Sequence, residues 1–148
     1  MPIVGCGIDI VNLQRIYSLL GKFPARRLLL KISSNPEIAA YRTSFPDHYE
    51  NPFEDTNYYE ANVTSKRAVM FIAKLWSIKE STYKAVFPFI TLGWKDIIVG
   101  TNQGKPTLAF NDAVHTRLFA KYGALRPHVP LSHDGCYFIS QVLVEHLY

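Results

Sequence analysis

The chain has 148 residues, 48% of them hydrophobic and 14% aromatic, which suits one globular domain with its own core and excludes a disordered tail or a small cross-linked scaffold. No window approaches the roughly 20 uncharged apolar residues of a membrane span, and the apolar opening is too short and too glycine-rich for a secretory leader. Sixteen basic against twelve acidic residues leave a net charge of +4, so the expected partner is anionic: a nucleic acid, a phosphorylated small molecule or an acidic protein.

The opening segment, Pro2 to Val11, alternates, with Val4, Cys6, Ile8 and Ile10 on one face and Gly5, Gly7 and Asp9 on the other. It reads as a strand with a packed apolar face and a bare glycine face, where another group can approach the backbone beside the Asp9 carboxylate. Asn12 fits an N-cap for a helix carrying Leu13, Ile16, Tyr17 and Leu20 and stopping at Gly21. No acidic residue falls between Asp9 and Glu37, while Arg15, Lys22, Arg26, Arg27 and Lys31 do. That stretch is either a solvated helix face or a docking surface for negative charge. Cys6 and Cys136 sit in strand-like runs without metal-ligand spacing and are expected as small core residues.

Residues 33–64 carry Pro36, Pro46 and Pro52 among polar residues and show no sustained period. They read as a loop-rich insertion with one short helix near Pro36 to Tyr41. From Ser65 to Val86 the chain reads as a long helix, apolar almost all round and therefore central, ended by Pro88. Two strand-like runs, Trp94 to Val99 and Pro106 to Phe110, join through Asn102-Gln103-Gly104 as a hairpin. Asn111 can cap a helix with Val114, Leu118 and Tyr122, closed by Gly123. Strands around His128 to Ser132 and Tyr137 to His146, linked through Asp134-Gly135, finish a single α+β domain over 1–148.

The chemistry gathers at three places. Glu80 and Lys84, one turn apart on the long helix, are charges on an element that is otherwise core. Taken alone they could be an ordinary surface pair. With Asp9 on its glycine-lined strand, however, they make two carboxylates and an ammonium, a set that suits a hard divalent cation whose remaining ligands are phosphate oxygens. Ser132-His133 and Gly104-Lys105 are plausible phosphate contacts, each also explicable as turn chemistry.

These residues resemble a known family. Gly7-Ile8-Asp9-Ile10-Val11 with Arg15 is similar to the opening signature of holo-acyl-carrier-protein synthases, small members of the 4′-phosphopantetheinyl transferases. Phe71 to Ala85, with Trp76, Lys79-Glu80 and Lys84-Ala85, resembles their central signature. The hairpin with Gly104-Lys105-Pro106 and the run Leu131-Ser132-His133 resemble the remaining motifs in the expected order. The resemblance implies a small antiparallel sheet packed around a long central helix, in a homotrimer with the active site at a subunit boundary. It implies Mg2+ on Asp9 and Glu80, with these two and Lys84 as the catalytic set. It further implies coenzyme A seated by Lys84, Gly104, Lys105, Ser132 and His133, and acyl carrier protein docked on Arg15, Arg26 and Arg27.

Val11 stands where larger relatives have a second acidic residue, so the chain is similar to the small, carrier-specific branch. Asn12 replaces a glutamate, and Leu75 replaces an arginine suited to the 3′-phosphate of coenzyme A, a contact for which Lys74 and Lys79 are the substitutes at hand. Residues 33–64 find no counterpart and suggest a eukaryotic, fungal mitochondrial member.

The expected reaction moves 4′-phosphopantetheine from coenzyme A to a carrier serine and releases adenosine 3′,5′-bisphosphate, mostly by positioning and charge neutralisation. Lysine ammonium is a poor base, so Lys84 is assigned an electrostatic role and Glu80 the serine proton, taken directly or through water. The rival readings are a basic nucleic-acid module, in which Asp9 and Glu80 would repel phosphodiesters, and an inactive relative that only docks a carrier. No nucleic-acid or membrane partner is expected. The acid-free stretch from Leu13 to Lys31 also resembles an uncleaved mitochondrial matrix address, with the cytoplasm as the alternative; cleavage of a leader would remove Asp9.

Overall fold

The computed structural model describes residues 2–54 and 57–148. In chain order the elements are β1 (Ile3–Asn12), α1 (Leu13–Leu20), α2 (Ala25–Ile32), α3 (Asn35–Ser44), α4 (Pro46–Glu50) and α5 (Val63–Val86). A 3-10 turn (Trp94–Asp96), β2 (Ile97–Asn102), β3 (Lys105–Phe110), α6 (Asp112–Tyr122), β4 (Leu125–His128), β5 (Leu131–Asp134) and β6 (Tyr137–His146) follow. This is the α+β arrangement expected from the sequence. Three helices begin at asparagines whose Oδ1 accepts a first-turn amide: Asn12 from Arg15 N at 3.2 Å, Asn62 from Ser65 N at 2.8 Å and Asn111 from Val114 N at 2.9 Å.

The main sheet has β6 at its centre, antiparallel to β1 on one side, while β4 and β5 follow one another along its other edge. Asp9 lies opposite Ser140, and Ser140 in turn lies opposite Leu131. β2 and β3 form a separate two-stranded ribbon. Helix α5 packs under β1 and β6, and its Ala68, Val69, Ile72, Ala73 and Ile78 are buried completely.

The two faces of β1 are the reverse of the expectation. The glycine face is the packed one: a Cβ at Gly5 would collide with the Ala85 carbonyl, and one at Gly7 with the Ser81 carbonyl. The absent side chains let the α5 backbone press against the strand, which alternation alone does not reveal. The apolar face points outward, leaving Ile8 57% and Ile10 59% exposed. Cys6 is therefore exposed and Cys136 only half-buried, so neither is the core residue the sequence suggested.

Residues 33–64 are also not mainly loop. α3 and α4 occupy most of the first half, with the Glu37 carboxylate in the first turn of α3 accepting a hydrogen bond from Ser34 N at 2.8 Å. Pro36 and Pro46 stand at the starts of these helices, where a missing N–H costs nothing. Tyr41, Phe45, Tyr49, Phe53 and Tyr58 bury their rings in the core. Among the described residues, no helix is long and apolar enough to cross a membrane.

Candidate active site

Because β1 lies so close along α5, its Asp9 is brought over the helical turns that carry Ser77, Ser81 and Lys84. Ser77 Oγ donates to Asp9 O at 3.4 Å. Lys84 Nζ donates to Ile8 O at 3.1 Å and to Asp9 Oδ1 at 2.9 Å. The other carboxylate oxygen, Oδ2, is buried without a hydrogen-bond partner among the described residues. A buried anionic oxygen left bare is costly, and a cation would remove that cost.

Glu80, one turn before Lys84, makes no hydrogen bond or ion pair among the described residues. It faces a cavity of about 230 Å³ walled by Tyr83, Leu92, Gly93, Trp94 and Ile97. The long helix thus carries Lys84, paired with Asp9 of the first strand, and one turn earlier Glu80, which lines the cavity beside the 3-10 turn. No cluster of three or more metal-ligating side chains occurs among the described residues. A buried carboxylate oxygen without a partner on Asp9 and the carboxylate of Glu80 at a cavity suit a magnesium ion that completes its shell with water and phosphate.

The floor of the cavity is Lys79, and the structure corrects its expected role. Its Nζ is fully buried, with Glu37 Oε2 at 2.7 Å, Ile32 O at 2.8 Å and Trp94 O at 2.9 Å. Burial lowers its pKa, against the opposing effect of the Glu37 carboxylate. All three protons are spent inside, so Lys79 is no phosphate ligand. Lys74 is different: half-buried, with Nζ 5.4 Å from the Phe71 ring centre, it borders a second cavity with the exposed Arg67. Burial also lowers its pKa.

The other expected contacts lie elsewhere. Gly104 and Lys105 are exposed at the tip of the β2–β3 hairpin, whose base, Ile97, walls the Glu80 cavity. Ser132 and His133 are exposed on β5, across β6 from β1, with the His133 ring parallel to Phe138 at 6.5 Å. None of the four lines the Glu80 cavity. Arg15, Arg26 and Arg27 are exposed on α1 and α2; Arg26 lies 3.7 Å from Glu50, and Arg27 stands over the Phe23 ring. Sequence reasoning missed Ser77, Ser81 and Ser140, whose signal was serine at core-facing positions of the long helix and last strand.

Comparison with known proteins defines the class. Residues 5–124 match the model of the 4′-phosphopantetheinyl transferase superfamily, and the chain belongs to that superfamily. Within it the chain belongs with the holo-[acyl-carrier-protein] synthases. The synthase of Halalkalibacterium halodurans is 32% identical over 149 residues, covering 98% of both chains. That of Geobacillus kaustophilus is 30% identical over 148 residues, covering 98% of this chain and 91% of the relative. The fold is shared with the crystal structure of holo-[acyl-carrier-protein] synthase from Neisseria meningitidis, at TM-score 0.72 and 24% identity over 97% of this chain and 99% of that one. It is also shared with the Bacillus anthracis enzyme in complex with CoA (3′,5′-ADP), at TM-score 0.65 and 24% identity over 98% of both. The family match runs through residues 33–64, and bacterial relatives are covered nearly end to end.

Proposed function

We propose that this chain transfers 4′-phosphopantetheine from coenzyme A to a serine of an acyl carrier protein in a magnesium-dependent reaction. The observation that carries the reading is the pairing of Lys84 with Asp9, whose buried Oδ2 has no partner among the described residues, one helical turn from Glu80, which lines a cavity. Relatives named holo-[acyl-carrier-protein] synthase supply the reaction class. Asp9 and Glu80 would hold Mg2+, which when bound neutralises charge on the pyrophosphate oxygens.

The carrier serine oxygen forms a bond to the phosphorus bearing pantetheine, and that phosphorus parts from the bridging oxygen, releasing adenosine 3′,5′-bisphosphate. Glu80 is the carboxylate nearest the open cavity and takes the serine proton. Lys84, 47% exposed at its side chain, can swing its ammonium from Asp9 to the phosphoryl oxygens and stabilise charge there. Lys74, beside Arg67, is the cation placed to receive the 3′-phosphate. Gly104, Lys105, Ser132 and His133, none of which lines the Glu80 cavity, would be supplied by a neighbouring copy of a trimer. Arg15, Arg26 and Arg27 present the positive face on which an acidic carrier docks.

Incubation with apo acyl carrier protein, coenzyme A and Mg2+ should give a phosphopantetheine adduct by mass spectrometry. Asp9→Asn and Glu80→Gln should each abolish it with the fold intact. Lys84→Ala should slow it roughly 10³-fold, about 4 kcal/mol of lost charge stabilisation. Reversing Arg15 and Arg27 together should raise KM for the carrier and not for coenzyme A. No adduct, or near-normal turnover by Asp9→Asn in limiting Mg2+, would overturn the reading.

A further inference from the structure

Three hydroxyls lie in the driest part of the molecule: Ser77, Ser81 and Ser140 are all 0% exposed. Ser140 Oγ is 2.7 Å from Ser77 Oγ and 2.8 Å from Ser81 Oγ, bridging two successive turns of α5 from the centre of the sheet. Ser81 Oγ donates to its own helix, to Ser77 O at 2.8 Å and Ile78 O at 3.1 Å. With that proton spent, Ser140 donates to Ser81, and Ser77 shares its one proton between Ser140 Oγ at 2.7 Å and Asp9 O at 3.4 Å. Each hydroxyl has one proton, and this one-way chain satisfies all three.

An apolar side chain would fill the position at less desolvation cost, as Val142 does two residues on, also 0% exposed on the same face of β6. What the hydroxyls add is a fixed distance. Ser140 is the strand partner of Asp9, with both side chains toward α5, and Ser77 and Ser81 bracket Glu80 on the helix. One linked trio therefore sets how high the Asp9 strand rides over the turn that carries Glu80. Polar networks that are fully satisfied specify one arrangement where apolar packing allows several.

We propose that Ser140, with Ser77 and Ser81, is a positioning device that fixes the spacing of the Asp9 and Glu80 carboxylates for a divalent cation. The inference rests on the reading of these two carboxylates as the metal ligands. Groups behind ligands commonly change metal affinity by about 10–100-fold when removed, and that is the size of effect expected here.

The test measures Mn2+ bound to the full-length chain in the presence of coenzyme A, by the loss of the free-ion electron paramagnetic resonance signal, with thermal unfolding alongside. Ser140→Ala should weaken Mn2+ binding about 10-fold or more. Val142→Ala should lower the unfolding temperature and leave Mn2+ affinity unchanged. Ser77→Ala, which removes the link to the Asp9 carbonyl, should act like Ser140→Ala and serves if the latter does not fold. Unchanged affinity in the serine variants, or equal loss in Val142→Ala, would show a merely structural role and overturn the inference. A wild-type chain that binds no Mn2+ would instead overturn the metal reading beneath it.

Discussion

A polar atom without a partner is informative even far from the chemistry, and Tyr41 is the case in point. Its ring is fully buried between Phe45 and Phe71, at centre distances of 5.2 and 5.4 Å, and its hydroxyl has no hydrogen-bond partner among the described residues. Burial pushes its pKa above the ordinary tyrosine value of 10.0. The folded chain therefore keeps this proton at alkaline pH where the unfolded chain gives it up, so the folded state binds more protons and stability falls as pH rises past 10.0. Tyr41→Phe removes an unsatisfied hydroxyl and the titration together. It should be as stable as the wild type or more so by about 1 kcal/mol at neutral pH, and should decline less steeply in alkali. Thermal unfolding in buffers on either side of 10.0 checks both; a clear loss at neutral pH would mean the hydroxyl has a partner after all.

Among the elements, a buried ion pair ties five together. Lys79 on α5 bonds the end of α2 at Ile32 O, the 3-10 turn at Trp94 O, and Glu37 on α3; Glu37 Oε1 in turn accepts from Val99 N of β2 at 2.7 Å. With both side chains almost wholly buried, at 0% and 2% exposure, neither charge has water to fall back on. Glu37→Gln should cost about 3–5 kcal/mol in chemical denaturation, because it strands the lysine; a loss below about 1 kcal/mol would contradict the pairing.

This lock was not legible in the sequence, since Lys79 beside Glu80 reads like any charge on a helix end and Glu37 lies in a proline-punctuated stretch. The helix α5, its N-terminal side, the β2–β3 hairpin and the caps at Asn12 and Asn111 were legible, because period and capping are local signals. Asp9, Glu80 and Lys84 were legible as odd charges on packed elements. The burial of the glycine face was not: alternation shows that a strand has two faces, and which one is packed depends on a helix more than 70 positions away.

For the molecule as a whole, that reversal leaves the apolar face of the sheet open to association. α5 covers the inner face, and the outer face presents Ile8, Ile10, Tyr137 and Ile139 at 57%, 59%, 50% and 40% exposure. Ile10 pairs with Ile139, and Asn12 with Tyr137, so these side chains form one continuous apolar surface. A sheet face of this kind, two isoleucines deep and bare, is normally covered by another chain. A cyclic trimer would cover it. Sedimentation of the wild type should give a trimer. Ile10→Lys, changing an exposed residue that touches none of the catalytic side chains, should leave a folded monomer by circular dichroism. If the boundary completes the active site, that monomer should lose transfer activity while its Asp9 and Glu80 stay in place. A wild-type monomer with full activity at micromolar concentration would refute both the trimer and the shared site.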